Sequence, residues 1–194
     1  MDQLRLFLAI AIPEDVRAEL RRLQNELQPW LPPRVVRWTK PEQFHLTLKF
    51  LDNVPAAEVA ALRETARAVC SATSPLQLRA EGVGFFPNHC APRIFWVDIK
   101  NPDGRLLEFQ RQLEDAVERF AQKEEPKKFT AHVTLARFEK LRRDEAEKFA
   151  SQAQTGKVFG EWTAKEVQLM ESKLTRGGAL HAILDTFKTK MVGP

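Results

Sequence analysis

The chain has 194 residues, of which 43% are hydrophobic and 29% are charged, and its formal net charge is +4. These values are typical of a soluble globular protein with a sizeable core. The modest positive charge favours an anionic partner but excludes a dedicated nucleic-acid-coating protein. Folding units cluster around ~100–200 residues, so we expect residues 1–194 to form a single domain built of two similar lobes.

Cysteine usage and hydropathy indicate the compartment. Cys70 and Cys90 are the two cysteines, and two in a chain of this length make no disulfide framework, so we expect reduced thiols. The apolar run at 6–12 is too short for a signal peptide, and no stretch approaches the ~20 apolar residues of a membrane span. We therefore expect a cytoplasmic protein, acting as a monomer and without a membrane partner.

Strands and helices are predicted to alternate along the chain. In chain order the predictions are a strand at 4–12, a helix from Pro13 to before Pro29, a strand at 44–51, a helix at 56–69, strands at 76–80 and 94–99 with a loop carrying Gly82 and Gly84 between them, a helix at about 106–120, a strand at 131–135, a short helix near 142–150, and strands at 166–172 and 179–186 joined by a turn at Gly177-Gly178. This order predicts an α+β fold. Antiparallel sheets would line a central cleft, helices would cover the outside, and the lobes would be related by approximate two-fold symmetry.

One tract occurs twice, 87 residues apart: His-x-Thr-x with an aliphatic residue at each x, at 45–48 and at 132–135. Successive side chains of a β-strand alternate faces, so His45 shares a face with Thr47, and His132 shares one with Thr134. The aliphatic residues form the opposite, core-facing side. A single copy would favour a structural histidine, whereas two copies at half-chain spacing favour a catalytic pair.

The residue types suit acid–base chemistry on a phosphate. In-line displacement at phosphorus needs a base on the entering oxygen and an acid on the leaving one, on opposite sides. Histidine suits both roles, because its ordinary pKa of ~6.5 leaves both forms accessible near neutrality. The hydroxyls of Thr47 and Thr134 would donate hydrogen bonds to the non-bridging phosphate oxygens.

Two cations follow the motifs, Lys49 two residues beyond Thr47 and Arg137 two beyond Leu135. We expect both on the cleft face if the strands stay regular. Arg137 is the better candidate, because its planar fork suits phosphate or can stack on a base.

The other histidines are weaker candidates. His89 next to Cys90 matches no familiar zinc pattern, even with Cys70, so we expect no metal site. His181 lies among apolar residues of a predicted strand, which favours a structural role.

These tracts resemble the paired motifs of the 2H phosphoesterase superfamily, and most closely its RNA 2′,3′-cyclic phosphodiesterase branch, also called the 2′-5′ RNA ligase family. The resemblance spans nearly the whole chain, through the segments 5–10, 45–51, 92–97, 129–137 and 172–179.

The chain departs from the family pattern at a few positions. Ala131 and Asp52 replace a usual proline and glycine, and Met170 and His181 lie near positions where tyrosines are common. None of these departures affects the four motif residues.

The resemblance implies metal-independent opening of a 2′,3′-cyclic phosphate, at an RNA 3′ end or in a small cyclic nucleotide, to a 2′-phosphomonoester, without a cofactor. It implies that His45 protonates the departing 3′ oxygen and that His132 deprotonates the attacking water. Thr47 and Thr134 would hold the phosphate with help from Arg137. The residues alone leave open which histidine is the acid.

Aromatic side chains near the motifs are candidates to stack on the terminal base. The candidates are Phe7, Phe44 and Trp38, and core packing is the alternative for at least two of them.

Other functions also fit the sequence. The reverse reaction would join RNA ends through 2′-5′ linkages, and another small cyclic or 2′-5′ phosphodiester could be the substrate. A non-catalytic RNA-end binding module belongs to a different class. The paired histidines argue against it, because binding alone does not require two titratable groups.

Overall fold

A computed structural model describes residues 2–122, 128–139, 141–153, 156–175 and 178–190. Its strands and α-helices are, in chain order, β1 (Gln3–Ala11), α1 (Glu14–Leu27), β2 (Val36–Trp38), β3 (His45–Pro55), α2 (Val59–Ala72), β4 (Leu76–Phe86), β5 (Ile94–Lys100), α3 (Arg105–Val117), β6 (His132–Phe138), α4 (Arg143–Gln152), β7 (Val158–Ala164), β8 (Glu166–Thr175) and β9 (Gly178–Lys188).

The strands form two antiparallel sheets. The first sheet has the order β3-β1-β8-β9 and the second has the order β2-β6-β5-β4-β7. Each motif strand pairs with one long strand, β3 with β1 and β6 with β5, and β6 also pairs with the short β2. Both pairings are regular from the motif histidine to its threonine, His45 and Thr47 lying opposite Ala11 and Ala9, and His132 and Thr134 lying opposite Asp98 and Trp96. The predicted two-lobed α+β fold is confirmed.

Helices cover the outer face of each sheet. α2 and α3 pack together on the first sheet, α2 against β9 and α3 against β3. α1 packs on β7 of the second sheet, and α4 inserts Phe149 among the rings of Phe85, Phe95 and Phe138 there. The helix that follows β1 therefore covers the second sheet, and the helix that follows β5 covers the first.

The core forms where the apolar face of each motif strand meets these helices. Leu46, Val133 and Leu135 are fully buried, whereas the motif histidines and threonines on the opposite face are only half-buried. The strand alternation predicted from the sequence therefore orients both motifs as far as their threonines.

Two strands were not predicted, the short β2 and β7, and β4 runs on through the predicted loop at Gly82 and Gly84. A Cβ on Gly84 would lie 2.1 Å from the Trp96 ring, so this glycine makes room for an indole rather than marking a turn. Of the predicted hairpin turn, Gly177 lies outside the described residues, and Gly178 begins β9. None of the helices in the described ranges is long and apolar enough to cross a membrane.

Candidate active site

The two motif histidines begin the motif strands and line one cavity of about 890 Å³ between the sheets. The Nδ1 of His45 donates a hydrogen bond of 2.7 Å to the carbonyl oxygen of Gln43, and the Nδ1 of His132 donates one of 2.7 Å to that of Thr130. Because a carbonyl oxygen only accepts, each neutral ring carries its proton on Nδ1. Its Nε2 is then available to exchange a proton.

The same cavity collects the other predicted polar residues, Thr47, Thr134 and Arg137. Further cations on its wall are Arg5, Arg37 and Lys40. Within the part of the chain that the structure describes, no carboxylate lines the cavity. Hydroxyl donors, guanidinium groups and two imidazoles form a site suited to an anion such as a phosphodiester.

Each motif strand contains an extra residue three positions after its histidine, and β3 contains a second one at Leu51. The pairing of β3 with β1 is regular as far as Thr47 and then skips Leu48. The pairing of β6 with β5 is regular as far as Thr134 and then skips Leu135. Such β-bulges change the face toward which the following side chains point.

The bulges overturn the expectation for Lys49 and the reason given for Arg137. Lys49 forms an ion pair with Glu114 of α3 and does not line the cavity, so its predicted place on the cleft face was wrong. Arg137 does line the cavity, but it lies five residues after His132, and in a regular strand it would point away. The bulge at Leu135 turns it into the cleft.

The aromatic candidates differ in accessibility. Phe44 lies in the core with 4% exposure and does not line the cavity, so it offers no face to a base. Phe7 lines the cavity but is 1% exposed and packs on His45, and Trp38 lines it half-buried. Phe50, which was absent from the sequence predictions, lines the cavity with 55% of its surface exposed.

Each motif histidine is held between two other rings. The partners, with centroid separations, are Phe7 at 5.0 Å and His181 at 5.5 Å for His45, and Phe86 at 5.1 Å and Trp96 at 5.9 Å for His132. These ring contacts restrict the orientation of the imidazoles.

His181 is, besides Phe50, a cleft residue that sequence reasoning missed. It lines the cavity, and its Nδ1 is buried with no hydrogen-bond partner among the described residues. Its neighbours Ala179 and Leu180 suggested a core strand, yet they line the cavity too, because the β8–β9 hairpin borders the cleft. The departure from the family's tyrosines was the one sequence signal that pointed to this position.

Burial makes both histidines weak bases in the resting protein. Loss of solvent lowers the pKa of His45 to about 4, opposed by its bond to Gln43 and aided by His181, His132 and Arg137. Burial also lowers the pKa of His132, as does Arg137, while Asp98 acts in the opposite direction. An anion bound between the rings would favour their charged forms.

No metal-binding cluster occurs within the described ranges, where no three His, Cys, Asp or Glu side chains are grouped to hold an ion. Cys70 is fully buried, and burial raises the pKa of its thiol to about 12. That thiol is therefore a structural group rather than a ligand or nucleophile.

Curated relatives match almost the whole chain. A protein of Archaeoglobus fulgidus named RNA 2′,3′-cyclic phosphodiesterase is 28% identical over 188 residues, 95% of this chain and 100% of its own. A Thermus thermophilus protein of the same name is 29% identical over 197 residues, 96% of this chain and 91% of its own.

Solved structures and a family model agree with these matches. A crystal structure of a Thermus thermophilus protein has a TM-score of 0.78 at 27% identity, covering 96% of this chain and 98% of that one. Apo LigT from E. coli shares the fold, with a TM-score of 0.75 at 22% identity over 98% of this chain and 100% of that one. The model described as LigT like Phosphoesterase matches twice, at residues 10–96 and 97–181, once for each half of the chain. The chain therefore belongs to the LigT-like phosphoesterase family.

Proposed function

We propose that the chain hydrolyses 2′,3′-cyclic phosphate ends of RNA to 2′-phosphomonoesters, with two histidines supplying the acid and base and with no metal required. The observation that carries this proposal is the convergence of His45 and His132 on one cavity that no carboxylate of the described residues lines, each histidine with its proton held on Nδ1. Two such groups suffice for an in-line displacement at phosphorus.

In the proposed reaction the water oxygen forms a bond to phosphorus while the bond from phosphorus to the 3′ oxygen breaks. His132 takes the proton of the water, and His45 gives a proton to the departing 3′ oxygen. Thr47, Thr134 and Arg137 line the same cavity and would hold the non-bridging oxygens. These donors stabilise the charge that builds on the phosphate in the transition state.

The assignment of acid and base needs its own test, because the surroundings of the two rings differ. Arg137 and the imidazoles of His181 and His132 oppose the protonation of His45, whereas His132 has Arg137 opposing its protonation and Asp98 favouring it. The acid role of His45 therefore requires the bound phosphate to raise its pKa. A 4-nitrophenyl phosphodiester separates the roles, because nitrophenolate leaves without a proton. The variant that lacks the acid keeps most of its activity on this substrate, and the variant that lacks the base does not.

RNA as the substrate class is supported by the relatives of Archaeoglobus fulgidus and Thermus thermophilus, whose names state this activity. The lining of the cleft also supports an RNA substrate. One wall carries Arg37 and Lys40, which can bind phosphates, and the other carries the exposed ring of Phe50. We infer that Phe50 packs against the terminal nucleobase, since single-stranded nucleic acid is commonly gripped by stacking on rings.

We further infer one bilobal domain over 1–194. α1 follows β1 but covers the second sheet, and α3 follows β5 but covers the first, so neither half retains its core alone. The free thiols of Cys70 and Cys90 support a cytoplasmic location.

The test is turnover of an oligonucleotide with a 2′,3′-cyclic phosphate end in excess EDTA, with the product identified by mass and by phosphatase sensitivity. The proposal expects a 2′-phosphate product without added metal. Binding without turnover would instead favour a non-catalytic RNA-end module. Joined 2′-5′ products at equal or higher yield would favour the ligase alternative.

A further inference from the structure

Two buried glutamines each donate a hydrogen bond to the bulge that directly follows a motif threonine. Gln24 on α1 is 3% exposed, and its Nε2 donates a hydrogen bond of 2.9 Å to the carbonyl oxygen of Leu135. Gln110 on α3 is 5% exposed, and its Nε2 donates one of 3.2 Å to the carbonyl oxygen of Leu48. Leu135 is the extra residue of β6, and Leu48 is the first of two extra residues of β3.

A bulge residue drops out of the regular ladder, so its buried polar groups need partners from elsewhere. The carbonyl of Leu135 also accepts the backbone N–H of Thr39 at 2.9 Å, and Gln24 donates to the carbonyl of Thr39 as well. In the other half, Gln110 also donates to Glu114, which pairs with Lys49 beside the bulge. Burying a side-chain amide costs free energy unless its N–H groups are hydrogen-bonded. The bonds from these two glutamines therefore stabilise the bulged backbone as well as the glutamines themselves.

The arrangement is crossed between the halves. Gln24 lies on the helix that follows β1, yet it braces β6 of the second sheet. Gln110 lies on the helix that follows β5, yet it braces β3 of the first sheet. The same contact therefore occurs twice, at equivalent places, which makes an accidental hydrogen bond a poor explanation.

Each bulge controls one side chain of the cleft. Beyond Leu135 the strand turns Arg137 into the cavity, and beyond Leu48 it turns Phe50 into the cavity. We propose that Gln24 and Gln110 are positioning residues: Gln24 fixes the bulge that aims Arg137 at the substrate, and Gln110 fixes the bulge that aims Phe50. The kinetic test of this inference rests on the proposed function, because it measures the proposed hydrolysis.

The test is a crossed set of double-mutant cycles with the full-length chain. Gln24→Met keeps the length of the side chain and removes the donor. We expect it to lower kcat/KM about ten- to a hundredfold in the wild-type background. In the Arg137→Met background we expect it to change kcat/KM less than twofold. In the Phe50→Ala background it should keep its full effect.

Gln110→Met should show the opposite dependence. We expect Gln110→Met to raise KM about tenfold. This increase should vanish in the Phe50→Ala background and persist in the Arg137→Met background. The matched control is Gln112→Met on the same helix, whose exposed Nε2 binds Glu108 and which should leave the kinetics unchanged.

Equal effects of each glutamine variant in both backgrounds would overturn the proposal, because a general loss of stability acts alike on every background. If a Met variant does not fold, the Asn variant at the same position replaces it in the test. Its side chain is shorter, so the amide stays polar but no longer reaches the carbonyl of the bulge residue. The same cycles on the affinity for adenosine 2′-monophosphate test the positioning role even without turnover. A wild type that binds but never turns over thus contradicts the proposed function alone.

Discussion

Phe50 and Arg137 occupy equivalent positions in the two halves of the molecule. Each lies five residues after its motif histidine, and each follows a bulge that turns it into the cleft. The two halves thus share a backbone but differ in the group they offer at this place, a hydrocarbon ring on one wall and a guanidinium on the other. A substrate with a flat aromatic base and an anionic phosphate matches that asymmetry.

Replacing Arg137 tests the cationic wall. Arg137→Met removes the fork that would hold the phosphate, and we expect kcat/KM to fall about 10²–10³-fold, the range for removing one preorganised donor. Arg137→Lys restores little, since an ammonium lacks the bidentate geometry. Steady-state kinetics on the cyclic-phosphate oligonucleotide measure both. Arg21→Met, at an exposed position of α1, is the control and should match the wild type.

Phenylalanines 50 and 44 should respond in opposite ways. Phe50→Ala removes an exposed ring at the cleft, so KM should rise about tenfold with little change in stability. Phe44→Ala empties a core position and should lower the free energy of unfolding by about 3–5 kcal/mol. Urea denaturation and kinetics on both variants check this. A larger KM effect from Phe44 than from Phe50 would contradict the placement of the base.

Much of the site could be predicted from the sequence because the strand period carries it. His45, Thr47, His132 and Thr134 precede the bulges, so simple alternation orients them correctly. Lys49 follows the bulge at Leu48, so simple alternation assigns its side chain to the wrong face. The carbonyl group of each bulge residue accepts a hydrogen bond from a glutamine on a helix distant in sequence. The local sequence pattern of the strand does not contain this long-range contact.

The glycines show a second limit of sequence reasoning. Gly84 resembles a turn signal, but its role is to leave space for the Trp96 ring, which is more than ten residues away. β7 was missed for a related reason, since Gly160 interrupts its pattern at the point where Val16 of α1 packs closely. In both cases tertiary packing decides what a glycine does.

Gly84→Ala should affect the active site through Trp96. The new Cβ would lie 2.1 Å from the indole, which packs 4.9 Å from Phe86 and 5.9 Å from His132. We expect a loss of about 1–3 kcal/mol in stability and a lower kcat, because the indole shifts against His132.

The control for that substitution is Gly104→Ala, at a position that does not line the cavity. Its φ of 72° imposes backbone strain, and nothing lies near the new Cβ, so stability falls while kcat stays at the wild-type value. Equal kcat values in the two variants would contradict a role of Trp96 in holding His132.

Stability should depend on pH through His45. Burial lowers its pKa to about 4 in the folded protein, against ~6.5 when unfolded, so the unfolded chain binds the proton first. The folded state therefore loses stability as the pH falls from ~6.5 to about 4 and is unaffected above that range. In urea titrations the wild type should lose on the order of 2–3 kcal/mol more than His45→Gln across this window. A wild type and variant with parallel pH dependence would show that His45 is not buried as a neutral ring.

The most direct measurement is single-turnover hydrolysis of the cyclic-phosphate oligonucleotide in EDTA by His45→Ala and His132→Ala, with His89→Ala on an exposed loop as control. Each positioned acid or base typically contributes ~10²–10⁴-fold to the rate. The rate of hydrolysis by each motif variant should therefore fall at least ~10²-fold, while its affinity for the substrate is retained. The control should match the wild type. Full activity in either motif variant would contradict catalysis by paired imidazoles.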